Sequence, residues 1–373
     1  MDSGSARCRH VPHYRTVREN NQIAIQKLLY ILKLGTTESI KTANDTAVII
    51  LNWNGAGMLR RFLPEVVATT PESVADVIVV DNGSTDDSLK VLAEEFPSVK
   101  VIAFDTNYGF AEGYNRALAL VEHEFVVLLN SDVATTTGWL DCLRAELIEN
   151  PDVAACQPKI MAVDAPEKFE YAGACGGYID RNGFPYCRGR IFGHVETDNG
   201  QYDEPIDVAW ASGAAFMVRR KVYLEVGGLD SAFFAHMEEI DLCWRMRLNG
   251  WRLRAIPSAK VYHLGGGSLP VGNPKKTYLN FRNNLLMLYK NLPHNVRRKA
   301  LIQRRLLDTI AWAKSVATFH WGDAKAILKA HRDFRRMKHK YDSLPSPSEN
   351  LISGAPNILI AYYLKGKKEY SRI

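Results

Sequence analysis

Phe125-Val126-Val127-Leu128-Leu129-Asn130-Ser131-Asp132 sets five apolar residues against a polar triplet that closes on a carboxylate. A short apolar run of this kind predicts a buried strand of a parallel sheet. In open α/β sheets ligands sit just beyond the carboxyl ends of the strands, so Asp132 stands where a metal or a phosphate is met. Taken alone, an Asp in this place also reads as a helix cap or turn residue. The surrounding sequence separates the two readings.

Outward from that strand the chain alternates. Residues 47–51, 77–80 and 99–104 read as further strands, and 57–67, 86–96, 111–121 and 137–148 as the helices between and after them. Strands alternating with helices imply βαβ units, parallel pairing and right-handed crossovers. After Pro151 the rhythm breaks. Residues 165–207 are rich in Gly, Tyr and Pro and predict an irregular or antiparallel insertion. The chain is expected to return to the sheet at 208–218, form a helix at 238–248 and a strand at 251–262. From Pro274 it reads as almost wholly helical with a short basic tail. Residues 1 to about 44 are polar and Arg-rich at first, with one helical pattern at 23–34, and read as a peripheral arm.

The 373 residues are 46% hydrophobic and 24% charged, the balance of a globular chain of two or three units rather than a disordered one. No apolar run approaches the roughly 20 residues of a membrane span, and the N-terminus lacks the apolar core of a secretory signal. Six scattered cysteines with no C-x-x-C pair fit free thiols in a reducing cytosol, and a Cys175–Cys187 pair across a hairpin carries little weight. Charge is uneven. Between 297 and 340 there are 13 Lys or Arg against three Asp, a local +10 that leaves the rest of the chain at −4 of the +6 total.

Five further constellations flank the opening stretch. In Val79-Val80-Asp81-Asn82-Gly83-Ser84 a strand ends on a carboxylate before a glycine turn. Asp81 can accept the imide proton of a uracil or thymine base or a ribose hydroxyl; with Ser84 it can also simply cap the turn. No G-x-G-x-x-G is present, which disfavours a dinucleotide fold. Asn107, Gly109, Asn115 and Arg116 surround a helix start, where free amide protons favour an anion. Arg116 reads equally as a phosphate contact or a surface arginine. In the opening triplet, Asn130 and Asp132 form a D-x-D-like pair whose first acid is Asn. One carboxylate plus a diphosphate satisfies Mg²⁺. Ser212 and Gly213, within Trp210-Ala211-Ser212-Gly213-Ala214-Ala215, let a sugar or diphosphate approach the backbone or let two strands cross tightly. Glu238, Glu239 and Asp241 crowd a helix start. The helix dipole favours acids there, and transfer to a hydroxyl needs a base. His263 ends a strand before Leu264-Gly265-Gly266-Gly267-Ser268.

In this order and spacing, the constellations resemble a family 2 glycosyltransferase, most like the bacterial rhamnosyltransferase-like branch, over roughly residues 46–290. The resemblance implies an α/β fold: a GT-A type Rossmann-like mixed sheet with flanking helices, plus a C-terminal helical extension. It implies a nucleotide-binding half at 45–150, an acceptor half at 151–290 and a basic helical region at 291–373. It puts Asn52 and Asp81 on the nucleotide and Asp132 on a divalent cation, Mg²⁺ or Mn²⁺, with Asn130 and Ser131 beside it. Ser212 and Gly213 would line the donor sugar and acceptor. The catalytic base is implied at a Glu-Asp pair that falls on Glu238 and Glu239, Glu239 foremost, with Asp241 orienting the helix start or pairing with Arg245. His263 is implied on the metal or diphosphate, and the glycine run as a lid over the donor.

The activity so implied is inverting transfer of a sugar from a nucleoside-diphosphate sugar to a hydroxyl of a saccharide or polyprenyl-linked saccharide, in bacterial surface polysaccharide synthesis. A non-catalytic sugar-nucleotide-binding protein and a nucleotidyltransferase are the alternatives. The last has against it the lack of a Gly-rich loop with a following Arg or Lys after the first strand. In the basic segment Ile302, Leu306, Ile310, Ala313 and Ala317 recur at helical spacing. Either this stripe packs on the catalytic domain, or it touches an anionic membrane as a peripheral contact on its cytoplasmic face. Nucleic acid is not expected as a partner, since no recognised module accompanies the charge.

Overall fold

The structure is a computed structural model that describes residues 44–265 and 273–373. The arm expected at 1–44 (up to residue 43), its pattern at 23–34, Cys8 and the glycine-run residues 266–268 lie outside the described residues.

Four parallel strands form one half of a mixed sheet: β1 (Thr46–Asn52), β2 (Asp76–Asp81), β3 (Lys100–Ala103) and β4 (Phe125–Asn130), in the order β3-β2-β1-β4. β1 and β4 lie inside the sheet with apolar cores on both faces, which is why they are apolar at every position rather than at every second one. Helices α1 (Ala56–Thr69), α2 (Ser88–Glu95) and α3 (Gly109–Leu120) cross between these strands. The short β5 (Val133–Thr135) and α4 (Trp139–Glu149) follow.

The second half departs from the sequence reading at one strand. β6 (Val153–Ala162) is a ten-residue strand in the middle of the sheet, where no strand is expected from the sequence. Gln157, Pro158 and Lys159 interrupt its apolar pattern. Yet Lys159 is buried because Asp198 and Asp203 pair with its ammonium. The insertion then forms a small antiparallel sheet of β7 (Gly177–Ile179), β8 (Pro185–Cys187), β9 (Arg190–Ile191) and β10 (His194–Val195). The return strand expected at 208–218 is shorter. After β11 (Ile206–Asp207), β12 begins only at Ala215 and ends at Arg219. Before it, Trp210 pairs with Gly177, and the Ser212 amide is taken by the Gln157 side chain, 2.8 Å away.

α5 (Arg220–Glu225) and α6 (Glu238–Leu248) precede β13 (Arg252–His263), which closes the sheet order β11-β13-β6-β12-β4, with β5 paired to β13. Helices α7 (Pro274–Asn291), α8 (His294–Ala317) and α9 (Trp321–Met337) complete the described elements used below. The chain after 338 folds back: Ile358 is buried with Tyr186 and Ile191, and Tyr370 stacks on Tyr178 at 5.3 Å between ring centroids. Cys142, Cys156, Cys175, Cys187 and Cys243 are free thiols.

Candidate active site

Strand register gathers the polar residues at one edge of the sheet. Asn52 pairs in register with Asp81 across β1 and β2, and Leu51 with Asn130 across β1 and β4, so all three polar side chains leave the sheet at its carboxyl end. Asp81 is buried. Its Oδ1 accepts from Asn52 Nδ2 at 3.0 Å and its Oδ2 from the Ser84 amide at 2.9 Å. A carboxylate offers about four lone-pair sites, so Asp81 can still accept from a ligand. The Oδ1 of Asn52 is buried with no hydrogen-bond partner, an open acceptor beside it. Gly83, at φ +71°, makes the turn, and a Cβ there would stand 2.5 Å from the Thr106 carbonyl carbon.

Asn82, given no role by the sequence reading, fixes the neighbouring loop. Its amide donates to Asn107 Oδ1 and Gly109 O at 3.0 and 3.1 Å and accepts from the Tyr108 amide at 3.0 Å. Two expectations on α3 meet a different arrangement. Asn115 is buried, with its amide spent on Leu229 O, Leu229 N and the Tyr223 hydroxyl, so it braces the segment before α6 instead of facing a ligand. Arg116 pairs with Glu112 at 3.0 Å and lies 3.7 Å over the Tyr108 ring, which ties its charge to its own helix.

The second group centres on Asp132. His263 arrives there because β13 pairs with β5 in a register that sets His263 opposite Val133. Its Nε2 lies 3.1 Å from Asp132 Oδ1 and 3.4 Å from Asn130 Nδ2, while its Nδ1 faces Glu170 Oε1 at 3.5 Å. Glu170, buried in the irregular insertion, has no signal in the sequence. Burial opposes charge on His263, but the Asp132 and Glu170 carboxylates outweigh it and push its pKa up to about 10. Ser131 lies partly exposed between its neighbours.

Among the described residues no three His, Cys, Asp or Glu side chains converge as a ready-made ion site. Asp132 supplies one carboxylate and His263, once a cation displaces its ring proton, one imidazole, a donor set that fits a hard or borderline divalent cation completing its shell with phosphate oxygens and water. Behind them Glu170 faces the far ring nitrogen, as carboxylates behind metal-bound histidines do.

The third group is the acidic helix start. The Asn130 amide donates to Ala214 O at 3.0 Å, which ties the end of β4 to the Ser212–Ala214 segment. A Cβ on Gly213 would meet the Glu239 Cβ at 3.7 Å, so the bare backbone of Gly213 borders Glu239. Phe234, His236 and Met237, just before α6, all hold positive φ (67°, 69° and 73°), a conformation that costs non-glycine residues energy. Side chains of α7 hold it. Asn283 donates to the carbonyls of Phe233, Ala235 and His236 at 2.9, 2.9 and 2.7 Å, and Arg282 to those of Ala232 and Phe233 at 3.1 and 2.8 Å.

On the helix so anchored, Oε2 of Glu238 and Oε2 of Glu239 are buried with no partner. Burial pushes the Glu239 carboxyl up to about 7 against the backbone amides of the helix start. Burial and the Glu239 charge raise Glu238 well above its usual range. Asp241 is different. Its oxygens accept from Arg245 and Lys290 at 2.9 Å each and from Asn291 at 2.7 Å, the pairing with Arg245 expected for it, and full burial among these partners keeps it from an acceptor. The three groups adjoin along the sheet edge: Asp81 with Asn52, the Asp132–His263 pair next to Asn130, and, through the Asn130–Ala214 bond and Gly213, two carboxylates with idle oxygens.

The model of the family described as Glycosyl transferase family 2 matches residues 47–227. The N-acetylglucosaminyl-diphospho-decaprenol L-rhamnosyltransferase of Mycobacterium tuberculosis is 30% identical over 241 residues, 58% of this chain and 75% of that protein. The pre-mycofactocin glycosyltransferase of the same species is 30% identical over 227 residues, covering 59% of this chain and 42% of its own. Among solved structures, GalNAc-T7 with UDP, GalNAc and Mn²⁺ superposes with a TM-score of 0.53 at 18% identity, over 66% of this chain and 47% of that one. That likeness bears on the fold.

Proposed function

The chain belongs to glycosyl transferase family 2, and from that premise we propose that it transfers a sugar, with inversion, from a nucleoside-diphosphate sugar to a hydroxyl of a saccharide or polyprenyl-linked saccharide in cell-wall polysaccharide synthesis. The lipid-linked acceptor is supported by the acceptor in the name of the rhamnosyltransferase relative. The observation that carries the reading is the pair of unpartnered carboxylate oxygens on Glu238 and Glu239, in a site contiguous with the Asp132–His263 pair.

In this reading Asp81 and Asn52 receive the base and ribose of the donor, with Ser84 shaping the turn. Asn107 and Gly109 stand beside them in the loop that Asn82 holds. Asp132 and His263, with Asn130 and Ser131 beside them, would hold a divalent cation, Mg²⁺ or Mn²⁺. When bound, the cation supplies positive charge against the nucleoside diphosphate as it leaves. Gly213 gives the sugar bare backbone next to Glu239, and Ser212, expected beside the sugar, is buried behind it with its hydroxyl bonded to Ala172 O and the Ala214 amide. Glu239 takes the proton of the acceptor hydroxyl, whose oxygen bonds to the anomeric carbon as the bond to the diphosphate breaks on the opposite face. Burial and the Glu239 charge raise the Glu238 carboxyl well above its usual range, which disfavours a second negative charge beside Glu239. In the same reading the reaction runs at the cytoplasmic face of the membrane, with the basic C-terminal helices as its peripheral contact.

Thermal-shift screening of nucleotide sugars with and without Mn²⁺ identifies the donor, because a ligand that binds the native state raises the melting temperature. With donor and acceptor present, Asp132→Ala and Glu239→Gln are each expected to lower kcat by about 10² to 10⁴-fold. Undiminished release of nucleoside diphosphate by either variant would overturn the assignment.

A further inference from the structure

Helix α8 packs Val296, Ala300 and Leu301 against the core, but further along it turns charge inward and an apolar stripe outward. Its buried side chains are Arg304 and Asp308, 4% and 1% exposed, while Ile302, Leu306 and Ile310 are 55%, 64% and 67% exposed. The inward charges are fully paired: Arg304 Nε to Asp308 at 2.7 Å, the guanidinium 4.0 Å over the Phe184 ring, and Asp308 to His331 at 3.0 Å. Of the two readings of this stripe, packing on the domain is therefore excluded for these residues. An amphipathic helix normally buries its apolar stripe, and apolar residues left outside in a continuous patch mark an interaction surface.

Beside the stripe lies a groove of about 370 Å³ between α7, α8 and α9. Arg297, Arg298, Arg305, Arg335 and Lys338 line it, and no Asp or Glu does. Its floor is apolar: Leu285, Tyr289, Leu301 and Phe334. Arg297 and Lys338 are drawn over the Tyr289 ring, at 4.0 and 5.3 Å, whereas Arg298, Arg305 and Arg335 are exposed. Ile302 lines the groove and a second hollow that continues past Arg298 and Lys299 to Leu306, so the cationic and apolar features form one surface.

We propose that this surface binds anionic phospholipid: a lipid phosphate enters the groove among Arg298, Arg305 and Arg335, and Ile302, Leu306 and Ile310 enter the acyl region beside it. The charged side chains lining the groove are all cationic and its floor is greasy, and the adjoining stripe needs an apolar partner. A bilayer of acidic lipid supplies both. Nucleic acid would satisfy the cations and leave the stripe in water. The inference deepens the reading of a lipid-linked acceptor but tests apart from it, since lipid contact requires neither donor nor acceptor.

The full chain is sedimented with phosphatidylglycerol–phosphatidylcholine vesicles and with phosphatidylcholine vesicles alone. Binding is expected to the acidic vesicles and to fall on the order of 100-fold in the triple variant Arg298→Glu, Arg305→Glu, Arg335→Glu. The double variant Ile302→Ser, Leu306→Ser is expected to keep salt-sensitive binding and to lose the salt-resistant part. An unchanged melting temperature shows that each variant is folded. Equal binding to both vesicle types, or undiminished binding by the charge-reversed chain, overturns the proposal. So does a dimer that the same substitutions disperse without any vesicle binding, which assigns the surface to a second copy of the chain. Loss of vesicle binding with donor affinity intact leaves the glycosyltransferase reading standing; loss of donor binding with vesicle binding intact does the reverse.

Discussion

Glu239 is the residue on which pH should act. Its carboxyl is raised from the usual 4.5 to about 7, chiefly by burial, and a general base works only when ionised. The pH profile of kcat/KM is therefore expected to climb through about pH 7 and level off above it, and a flat profile from pH 5 to 9 would remove Glu239 from the role. Stability runs the other way. The folded chain keeps a proton that the unfolded chain releases near 4.5, so this contribution is whole below that pH and is lost as pH rises to about 7. Chemical denaturation at a series of pH values reads the decline. Gly83 makes a second residue-scale case. Alanine there combines a φ of +71° with a Cβ 2.5 Å from the Thr106 carbonyl carbon, so Gly83→Ala should cost about 1–3 kcal/mol and weaken donor binding through Asp81 and Ser84. An unchanged melting temperature would contradict it. Asn115 carries the opposite lesson. Its place near a helix start suggested a ligand contact, yet only the fold reveals that Leu229 and Tyr223, more than a hundred residues away, claim its amide.

Among the elements, α7 holds the segment before α6 in shape. A single amide, that of Asn283, serves three carbonyls of a segment with three positive-φ residues. Asn283→Ala leaves those carbonyls short of donors and is expected to lower stability by about 3 kcal/mol. It should also lower kcat on the order of 100-fold with KM little changed, because the carboxylates that follow drift from their position. Steady-state kinetics at a temperature where the variant is folded separates the two effects; an unaltered kcat would refute the positioning role. The same scale shows what a sequence can and cannot tell. β1, β2 and β4 are legible because burial on both faces demands unbroken apolar runs, and α6 because its acids and its period agree. β6 is not, since Gln157, Pro158 and Lys159 look like loop until Asp198 and Asp203 supply the counter-charge for Lys159. Glu170 lies in an insertion without periodicity, and only the strand register that brings up His263 sets it behind Asp132. The apolar stripe of α8 is legible as a stripe, but its direction is fixed by the Arg304–Asp308–His331 cluster, which joins two helices.

For the molecule as a whole, the C-terminal region is part of the fold that carries the site. Tyr341 and Ile352 sit in the same core as Trp244 and Leu286, and the chain near 370 packs on the small sheet. A chain ending at 291 should therefore lose cooperative unfolding and expose apolar surface to a dye such as ANS, rather than survive as a trimmed enzyme. A sharp, dye-free transition in that fragment would show the opposite. Lys290 bridges the two regions: its ammonium meets Asp230 at 2.7 Å and Asp241 at 2.9 Å, Tyr341 donates to the same Asp230 oxygen, and Asn291 holds the other side of Asp241. Removing one member strands a buried charge, while changing several together need not. Descendants of this sequence are accordingly expected to inherit Asp230, Asp241, Lys290 and Tyr341 as a set or to exchange them as a set. Lineages would cross between the two states through few viable intermediates.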